Sequence, residues 1–248
     1  MLAEAVQKPT MRFVPIKTEE QLDMQALHRV RDRLVSQRTR IVNQIRAFLL
    51  ERGIAVSVGR ARLENSLPAI LEEAENGLST RMRRLVADLR QEWIHLDTEI
   101  SQVDREIGQV VAQDENSKHL TTIPGIGPII ATVITASIGN GRMFAKGRDF
   151  SAWLGLVPRQ YSTGGKSRLL GISKRGNPYI RKLLIQGARA VMSRTARDRH
   201  SFGDWLTKLQ ARTAKNVAAI AMANKLARIA WAVLSSGEIY RHQIVAAV

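Results

Sequence analysis

Residues 161–168 read Tyr-Ser-Thr-Gly-Gly-Lys-Ser-Arg and bring hydroxyl groups together with cations and glycines. A serine hydroxyl such as that of Ser162 can attack a phosphodiester, and the cations Lys166 and Arg168 would offset the charge that develops on the phosphate. The segment lacks the G-x-x-x-x-G-K-S/T spacing of a nucleotide-binding P-loop, so ATP binding is not predicted. Because Ser, Thr and Gly are also common in plain turns, the residues alone leave a catalytic serine and a simple turn both open.

The basic residues are concentrated in the second part of the chain. Residues 118–248 contain 21 Lys and Arg but 4 Asp and Glu, a net charge of +17, whereas residues 1–117 have 17 basic and 18 acidic residues, a net charge of −1. This asymmetry predicts that the second part binds a polyanion, DNA or RNA. The predicted phosphate contacts near the serine are Lys166, Arg168, Lys174, Arg175, Arg181 and Lys182.

A second candidate contact is the Pro-Gly-Ile-Gly turn at residues 124–127, which precedes an apolar helix. This pattern is typical of a helix-hairpin-helix turn, in which Gly125 and Gly127 let backbone amides at the next helix start approach a phosphate. Such a contact would hold a duplex in register without reading its sequence. A tight helix connection without a ligand is the alternative.

Two long helices are predicted to precede these segments. Thr18 and Gln21 form a capping-box pattern that begins the first helix, and Gly53 offers a stop. The first helix is predicted to bury an apolar stripe formed by Leu27, Val30, Leu34, Ile41, Ile45 and Phe48. The second helix has apolar residues, Leu85 among them, at spacings of three and four from Leu78 to Val110, over more than four heptads. We therefore predict a long antiparallel coiled-coil arm over residues 18–115 that self-associates into a dimer or tetramer, with residues 54–77 at its tip.

The remaining residues, 116–248, are predicted to form a small, mostly helical domain. We expect short helices at 128–138, 149–155 and 202–212 and longer ones at 178–195 and 214–235, with an exposed loop or hairpin at 156–176. The last helix is predicted to face a core with Val217, Ile220, Leu226, Ile229 and Val233. Asn177 and Pro178 have the residue types of an N-cap and a first helical position. The predicted fold class is therefore mainly α. It combines the coiled-coil arm, a helix-hairpin-helix-like turn and an exposed Gly/Ser-rich basic loop.

Several functional classes are disfavoured by composition. The chain has no cysteine, and its 5 histidines lack the spacing of a metal site, so no disulfide and no metal site is predicted. We find neither an uninterrupted apolar run long enough to span a bilayer nor a signal-peptide pattern at Met1, and we predict a cytoplasmic protein without a membrane partner. Residues 12–17, Arg-Phe-Val-Pro-Ile-Lys, have the pattern of a single strand without a second strand to pair with.

The run from Leu120 to Val191 resembles the C-terminal domain of the insertion-sequence one-ten family of transposases, especially its eleven-eleven branch. The first 17 residues, the predicted arm and the Ala-rich last helix resemble the middle and end of the same proteins. The resemblance implies an N-terminal RuvC-like domain with four metal-binding carboxylates, a dimerising arm and a C-terminal domain with a catalytic serine. Family members cut and rejoin DNA, and several are guided by an RNA made from the element. The serine corresponds to Ser162, while Thr163 and Ser167 remain open.

The resemblance also implies that the RuvC-like carboxylates would precede Met1. Residues 1–17 would then be a remnant of that domain, and residues 116–248 the DNA-binding and catalytic-serine domain. No cofactor is expected in this chain, although magnesium is expected for the full family enzyme. We therefore expect the chain alone to bind DNA, and a guide RNA if the element makes one, without cutting. The alternative is a non-enzymatic nucleic-acid-binding coiled-coil dimer.

Overall fold

The computed structural model describes residues 15–193 and 202–241 and is mainly helical. The chain divides into two compact units, which we call the arm unit (Ala26–Glu106) and the basic unit (Met1–Gln25 with Ile107–Val248). The described elements are α1 Glu19–Leu50, α2 Arg60–Glu72, α3 Thr80–Gln113, α4 Glu115–Thr121, α5 Pro128–Ile138, α6 Gly147–Trp153, β1 Pro158–Thr163, β2 Lys166–Ile172, α7 Pro178–Ser193, α8 Gly203–Arg212 and α9 Lys215–Ser236.

In the arm unit, α1 and α3 lie side by side in opposite directions. Arg31 of α1 pairs with Asp104 of α3, and Arg38, two turns further along α1, contacts Asp97 with an Nη1 to Oδ1 distance of 2.7 Å. Asp97 also accepts a hydrogen bond from Arg60 of α2 at 2.7 Å, so its carboxylate links all three helices. The antiparallel pairing agrees with the sequence prediction; supercoiling and self-association stay predictions.

The apolar stripe of the arm unit differs from the predicted one by single residues. Leu34, Ile41 and Ile45 are buried as predicted, but Val30 is 41% exposed, and Leu49 is buried at the end of α1 rather than Phe48. On α3, Val86 is fully buried, while the predicted Leu85 is 38% exposed. Adjacent apolar residues on a helix point about 100° apart, and spacing alone does not decide which of them faces the core.

Two arginines hold the loops that flank α2. Arg46 donates from its guanidinium to the carbonyl oxygens of Val56, Ser57 and Gly59, each at 2.8 Å. Arg83 donates to the Leu71 carbonyl at 2.8 Å and to the Asn76 side-chain oxygen at 2.7 Å. A planar guanidinium can satisfy several carbonyl groups at once, so these loops are fixed without regular secondary structure.

His28 makes the stability of the arm unit depend on pH. Its side chain is buried, and burial, reinforced by the Arg31 guanidinium and opposed by the Asp104 carboxylate, lowers the pKa of His28 from 6.5 to about 4. Between these values the unfolded chain binds a proton that the folded chain does not, so stability is lost as the pH falls. We expect the free energy of unfolding to fall by about 2 kcal/mol between pH 7 and pH 5 because of His28.

Urea unfolding of the whole chain at the two pH values tests this expectation. The His28→Gln variant should lose about 2 kcal/mol less than the unmodified chain over the same interval. His95→Gln is the control, because His95 is exposed on α3. An equal pH dependence in the chain and in His28→Gln would contradict the assignment.

The basic unit has one core built around α9. Small buried residues, Ala218, Ala219, Ala223, Ala227 and Ala230, line α9 and let α6 and α7 approach it closely. Val217 was predicted to face this core but is 53% exposed. By length and composition α9 could cross a membrane, contrary to our reading that no such run exists, but half of its most apolar stretch is buried inside the protein, as in a core helix.

Most predicted helix boundaries agree with the structure. The Thr18 amide donates to the Gln21 side chain at 3.1 Å and the Gln21 amide to the Thr18 hydroxyl at 3.3 Å, which confirms the capping box. The Asn177 side chain accepts from the Tyr179 amide at 2.9 Å, as an N-cap does. The predicted strand at 12–17 lies partly outside the described residues, and its last three residues, 15–17, have no regular structure.

Candidate nucleic-acid interface

The serine-containing segment forms an antiparallel hairpin of β1 and β2. Gly164 and Gly165 connect the strands with φ values of 54° and 74°, the left-handed backbone that a tight hairpin turn requires at both central positions. Every residue of both strands is exposed except Ile172, which is half-buried. The sequence predicted either an exposed loop or a hairpin at residues 156–176, and the structure has a hairpin there.

The strand register separates the hydroxyl groups from the charges. Ser162 is opposite Ser167, Thr163 is opposite Lys166, and Tyr161 is opposite Arg168. Because side chains alternate between the faces of a strand, one face has the two serines and the other has Thr163, Lys166 and Arg168. We call them the serine face and the basic face. From the sequence, Lys166 and Arg168 were expected to offset the charge on a phosphate attacked by Ser162. In the hairpin they lie on the face opposite Ser162. The spacing of these residues along the chain does not reveal the strand register, so this arrangement could not be predicted.

On the serine face, Gln160 holds both serine hydroxyl groups. Its side-chain nitrogen donates to the Ser162 Oγ at 2.9 Å and to the Ser167 Oγ at 3.1 Å. An amide that donates to Oγ leaves the hydroxyl proton free to depart and favours negative charge on the oxygen. Gln160 was not predicted as a site residue. Its position two residues before Ser162 would place both side chains on the same face of a strand, and this is the signal in the sequence that could have identified it.

The hairpin is attached to the helices through two close backbone contacts. A Cβ atom on Gly176, where φ is 82°, would overlap the Trp153 carbonyl oxygen, and a Cβ atom on Gly155 would overlap that of Arg175. Between these contacts the Lys174 amide donates to the Gly155 carbonyl at 3.2 Å. Only glycine permits this approach, so the base of the hairpin has a fixed position on the basic unit.

The other predicted phosphate contacts have different surroundings. Lys174 and Arg175 are exposed beside the hairpin base, and Lys174 has a positive φ of 56°. Arg181 is half-buried, and its Nη1 donates to the carbonyl oxygens of Leu154 at 2.9 Å and Arg175 at 3.1 Å. Arg181 therefore has a structural role at the hairpin base. Lys182 is exposed on α7 with its Nζ 5.2 Å from the centre of the Tyr179 ring.

The Pro-Gly-Ile-Gly turn joins α4 to α5. Gly125 has a φ of 89° and lies against Gly187 of α7 so closely that a Cβ atom on either would meet the backbone of the other. Gly127 is exposed at the N-cap of α5, and Pro128 occupies the first turn. Packing against α7 thus explains Gly125, whereas Gly127 has an open surface at a helix start. Phosphate binding at this turn stays a prediction.

Comparison with known proteins places the chain in a family. Residues 117–203 match the transposase IS116/IS110/IS902 family. The transposase for insertion sequence element IS1328 of Yersinia enterocolitica is 45% identical over 239 residues, which are 96% of this chain and 71% of that protein. The chain belongs to this family of insertion-sequence transposases. A probable family 20 transposase of Pseudomonas aeruginosa is 45% identical over 97% of this chain and 71% of its own length.

The transposase for insertion sequence element IS1111A of Coxiella burnetii is 42% identical over 97% of this chain and 66% of that protein. The predicted resemblance to the one-ten family is thereby confirmed, and family membership implies DNA as a partner of this IS110-family chain. The described residues contain no group of three or more His, Cys, Asp or Glu that could hold a metal ion.

Proposed function

We propose that this IS110-family chain binds DNA through the basic unit and presents Ser162 as the nucleophile for strand cleavage and rejoining. The observation that carries the proposal is the exposed hairpin, on which the Ser162 hydroxyl accepts a hydrogen bond from Gln160 at 2.9 Å in a unit of strongly positive charge. A RuvC-like domain, as the family resemblance implies, would supply the metal-dependent part of the reaction.

The proposed reaction is a transesterification. The Ser162 Oγ bonds to phosphorus while the bond between phosphorus and one sugar oxygen breaks. The serine proton leaves to solvent and the departing sugar oxygen takes up a proton, so the products are a phosphoserine ester and a strand end with a free hydroxyl. The hydroxyl of another strand then attacks the ester, which rejoins DNA and restores the serine.

The arm, the Gly127 turn and a guide RNA complete the proposal. Val30, Leu85 and Ile94 of the arm unit are each more than a third exposed, and apolar side chains of this kind support self-association through the arm. The Gly127 turn would contact a phosphate as a helix-hairpin-helix does. The positive charge would serve an element-encoded guide RNA as well as DNA.

A second function is a non-enzymatic nucleic-acid-binding dimer. One observation favours this second function: in the hairpin, Lys166 and Arg168 lie on the face opposite Ser162. Positions Thr163 and Ser167 remain alternatives for the nucleophile. Thr163 shares the basic face, whereas Ser167 shares the serine face and the Gln160 contact.

Binding of the whole chain to a labelled DNA duplex tests the DNA-binding part of the proposal. With six or more phosphate contacts, the affinity should fall by about a thousandfold between about 50 and 200 mM salt. Replacing Lys166 and Arg168 by Gln should lower the slope of log K against log salt by about 1.8, because two contacts are lost. Binding that does not respond to salt would contradict the proposal.

The control must remove two charges without disturbing the fold. Arg31 and Arg38 are unsuitable, because they pair with Asp104 and Asp97. Arg40 and Arg84 are exposed on the arm unit, so the Arg40→Gln, Arg84→Gln double variant has the same change in net charge. It should leave the salt slope within about 0.3 of the unmodified value. An equal drop in slope for both double variants would mean that net charge, and not the hairpin, controls binding.

A further inference from the structure

A broad groove lies in the basic unit between the hairpin base and α9. It has a volume of about 1180 Å³, and its floor is formed by apolar side chains of α9 together with Leu156 and Ile172. Among the described residues, the groove is lined by four cations and by no acidic residue: Lys146, Arg148, Lys225 and Arg228. Lys225 and Arg228 were not predicted as site residues, because residues 214–235 have the pattern of a core helix.

These four cations have no carboxylate counterion among the residues that the structure describes. Within residues 15–193 and 202–241, none of them lies within 4.0 Å of a carboxylate oxygen. Lys225 is half-buried, and burial, together with the Arg228 guanidinium, lowers its pKa. Lys146, Arg148 and Arg228 are exposed, whereas the half-buried Lys225 would attract an incoming anion more strongly than a fully solvated lysine does. The groove is therefore suited to an anionic ligand.

Aromatic side chains next to the cations narrow the ligand class. The Lys225 Nζ lies 4.1 Å from the centre of the Trp205 ring and 5.4 Å from that of Phe202, so these rings hold the ammonium in place. Trp205 and Trp231 both line the groove and are half-buried. Flat apolar surface beside cations suits a ligand that has planar groups as well as negative charge. Unstacked nucleobases on a phosphate backbone have both, whereas the bases of a duplex are already stacked.

The groove continues into the basic face of the hairpin. Leu170 lines the groove and lies two residues beyond Arg168 on β2, and Lys166 lies two residues before Arg168. Alternating residues of a strand share a face, so Lys166, Arg168 and Leu170 form one row that leads from the hairpin turn to the groove. A row of cations that enters a groove fits a chain with repeated negative charges better than it fits a small anion.

We infer that this groove binds a single-stranded segment of nucleic acid, with its phosphates at Lys225 and Arg228 and its bases against the apolar floor. The inference rests on the proposed function, since it names one strand of the nucleic acid that the basic unit binds. The single strand in the groove would be bound in addition to the duplex that the hairpin is proposed to contact.

Fluorescence anisotropy of the whole chain with a labelled 20-nucleotide oligo(dT) and with a labelled 20-base-pair duplex tests the inference. The Lys225→Met, Arg228→Gln double variant keeps the apolar stem of Lys225 and removes both charges. We expect it to bind oligo(dT) about tenfold more weakly, with a salt slope lower by about 1.4, and to bind the duplex within about twofold of the unmodified chain. The Arg40→Gln, Arg84→Gln variant should bind both as the unmodified chain does.

A second variant, Trp205→Phe, tests the aromatic contact without removing charge. It should reduce oligo(dT) affinity by about threefold and leave the salt slope unchanged. Melting temperatures measured by circular dichroism identify a variant that has unfolded. If one of the two groove variants has unfolded, the oligo(dT) affinity of the other one tests the inference. Unchanged oligo(dT) affinity in a folded groove double variant would overturn the inference, as would poly-glutamate competing as well as unlabelled oligo(dT), because that would indicate an acidic protein ligand.

The two proposals fail in different ways. If the Lys166 and Arg168 variant binds duplex normally while the groove variant loses oligo(dT), the proposed duplex contact at the hairpin is wrong and the groove assignment stands. If the groove variant loses duplex and oligo(dT) equally, the single-strand assignment is wrong and general DNA binding by the basic unit stands.

Discussion

Gly176→Ala is expected to detach the base of the hairpin and to destabilise the basic unit by at least about 2 kcal/mol. The added Cβ atom would occupy the position of the Trp153 carbonyl oxygen, which is backbone and cannot rotate away. The backbone at Gly176 also has a φ of 82°, where alanine is strained. Urea unfolding followed by circular dichroism measures the loss.

Gly165→Ala is the matched control, because it has nearly the same backbone strain without the overlap. Its φ is 74°, and a Cβ atom there would have no neighbour within 4 Å. We expect it to cost about 1 kcal/mol or less, since the hairpin turn is exposed. The difference between the two variants isolates the steric contact. Equal losses would mean that the close approach of Gly176 to Trp153 does not hold the hairpin.

Ser162→Ala is expected to abolish strand transfer, by at least about a thousandfold, in a protein that joins this chain to a RuvC-like domain of the family. The variant removes the only atom that forms the bond to phosphorus in the proposed reaction. DNA affinity should remain within about twofold, because an exposed hydroxyl contributes little to a charge-dominated contact. Recombination on a plasmid carrying the element ends, scored with binding in parallel, measures both quantities.

Thr163→Val and Ser167→Ala serve as controls from the two faces of the hairpin. Neither should reduce strand transfer by more than about tenfold, because neither removes the proposed nucleophile. Loss of activity in Thr163→Val alone would transfer the nucleophile to the basic face, where Lys166 and Arg168 lie. Full recombination by all three variants would mean that none of these three hydroxyl groups is the nucleophile. Nicking by residues 1–248 alone would contradict the expectation that this chain needs a metal-dependent domain to cut.

The local signals in the sequence were sufficient for most of the helices. The capping box at Thr18, the N-cap at Asn177 and the proline at 128 each act within four residues, so their effect is readable from the chain. The burial of Val86 rather than Leu85 was not readable, because a helix can rotate slightly to present either neighbour to the core. The alanine-lined packing of α9 was missed for a related reason, since small residues form a core only against a partner of matching shape.

The candidate site depended on information that is not local. Composition indicated a polyanion partner, and the serine segment was identified as exposed. The faces of the hairpin, however, follow from which residue of β2 lies opposite Ser162, and a shift of one residue would move Ser162 to the other face relative to its partners. The groove required α6, α8, α9 and the hairpin base to meet, and no spacing along the chain predicts that meeting.

The exposure of the hairpin has a consequence for how such a protein can change over generations. Its side chains bury almost nothing, so most substitutions there leave the hydrophobic core untouched and cost little stability. The helices and the glycines at its base carry the folding requirement instead. Selection can therefore vary the exposed side chains of the hairpin while the scaffold is preserved, and new surface properties can arise without passing through unfolded intermediates.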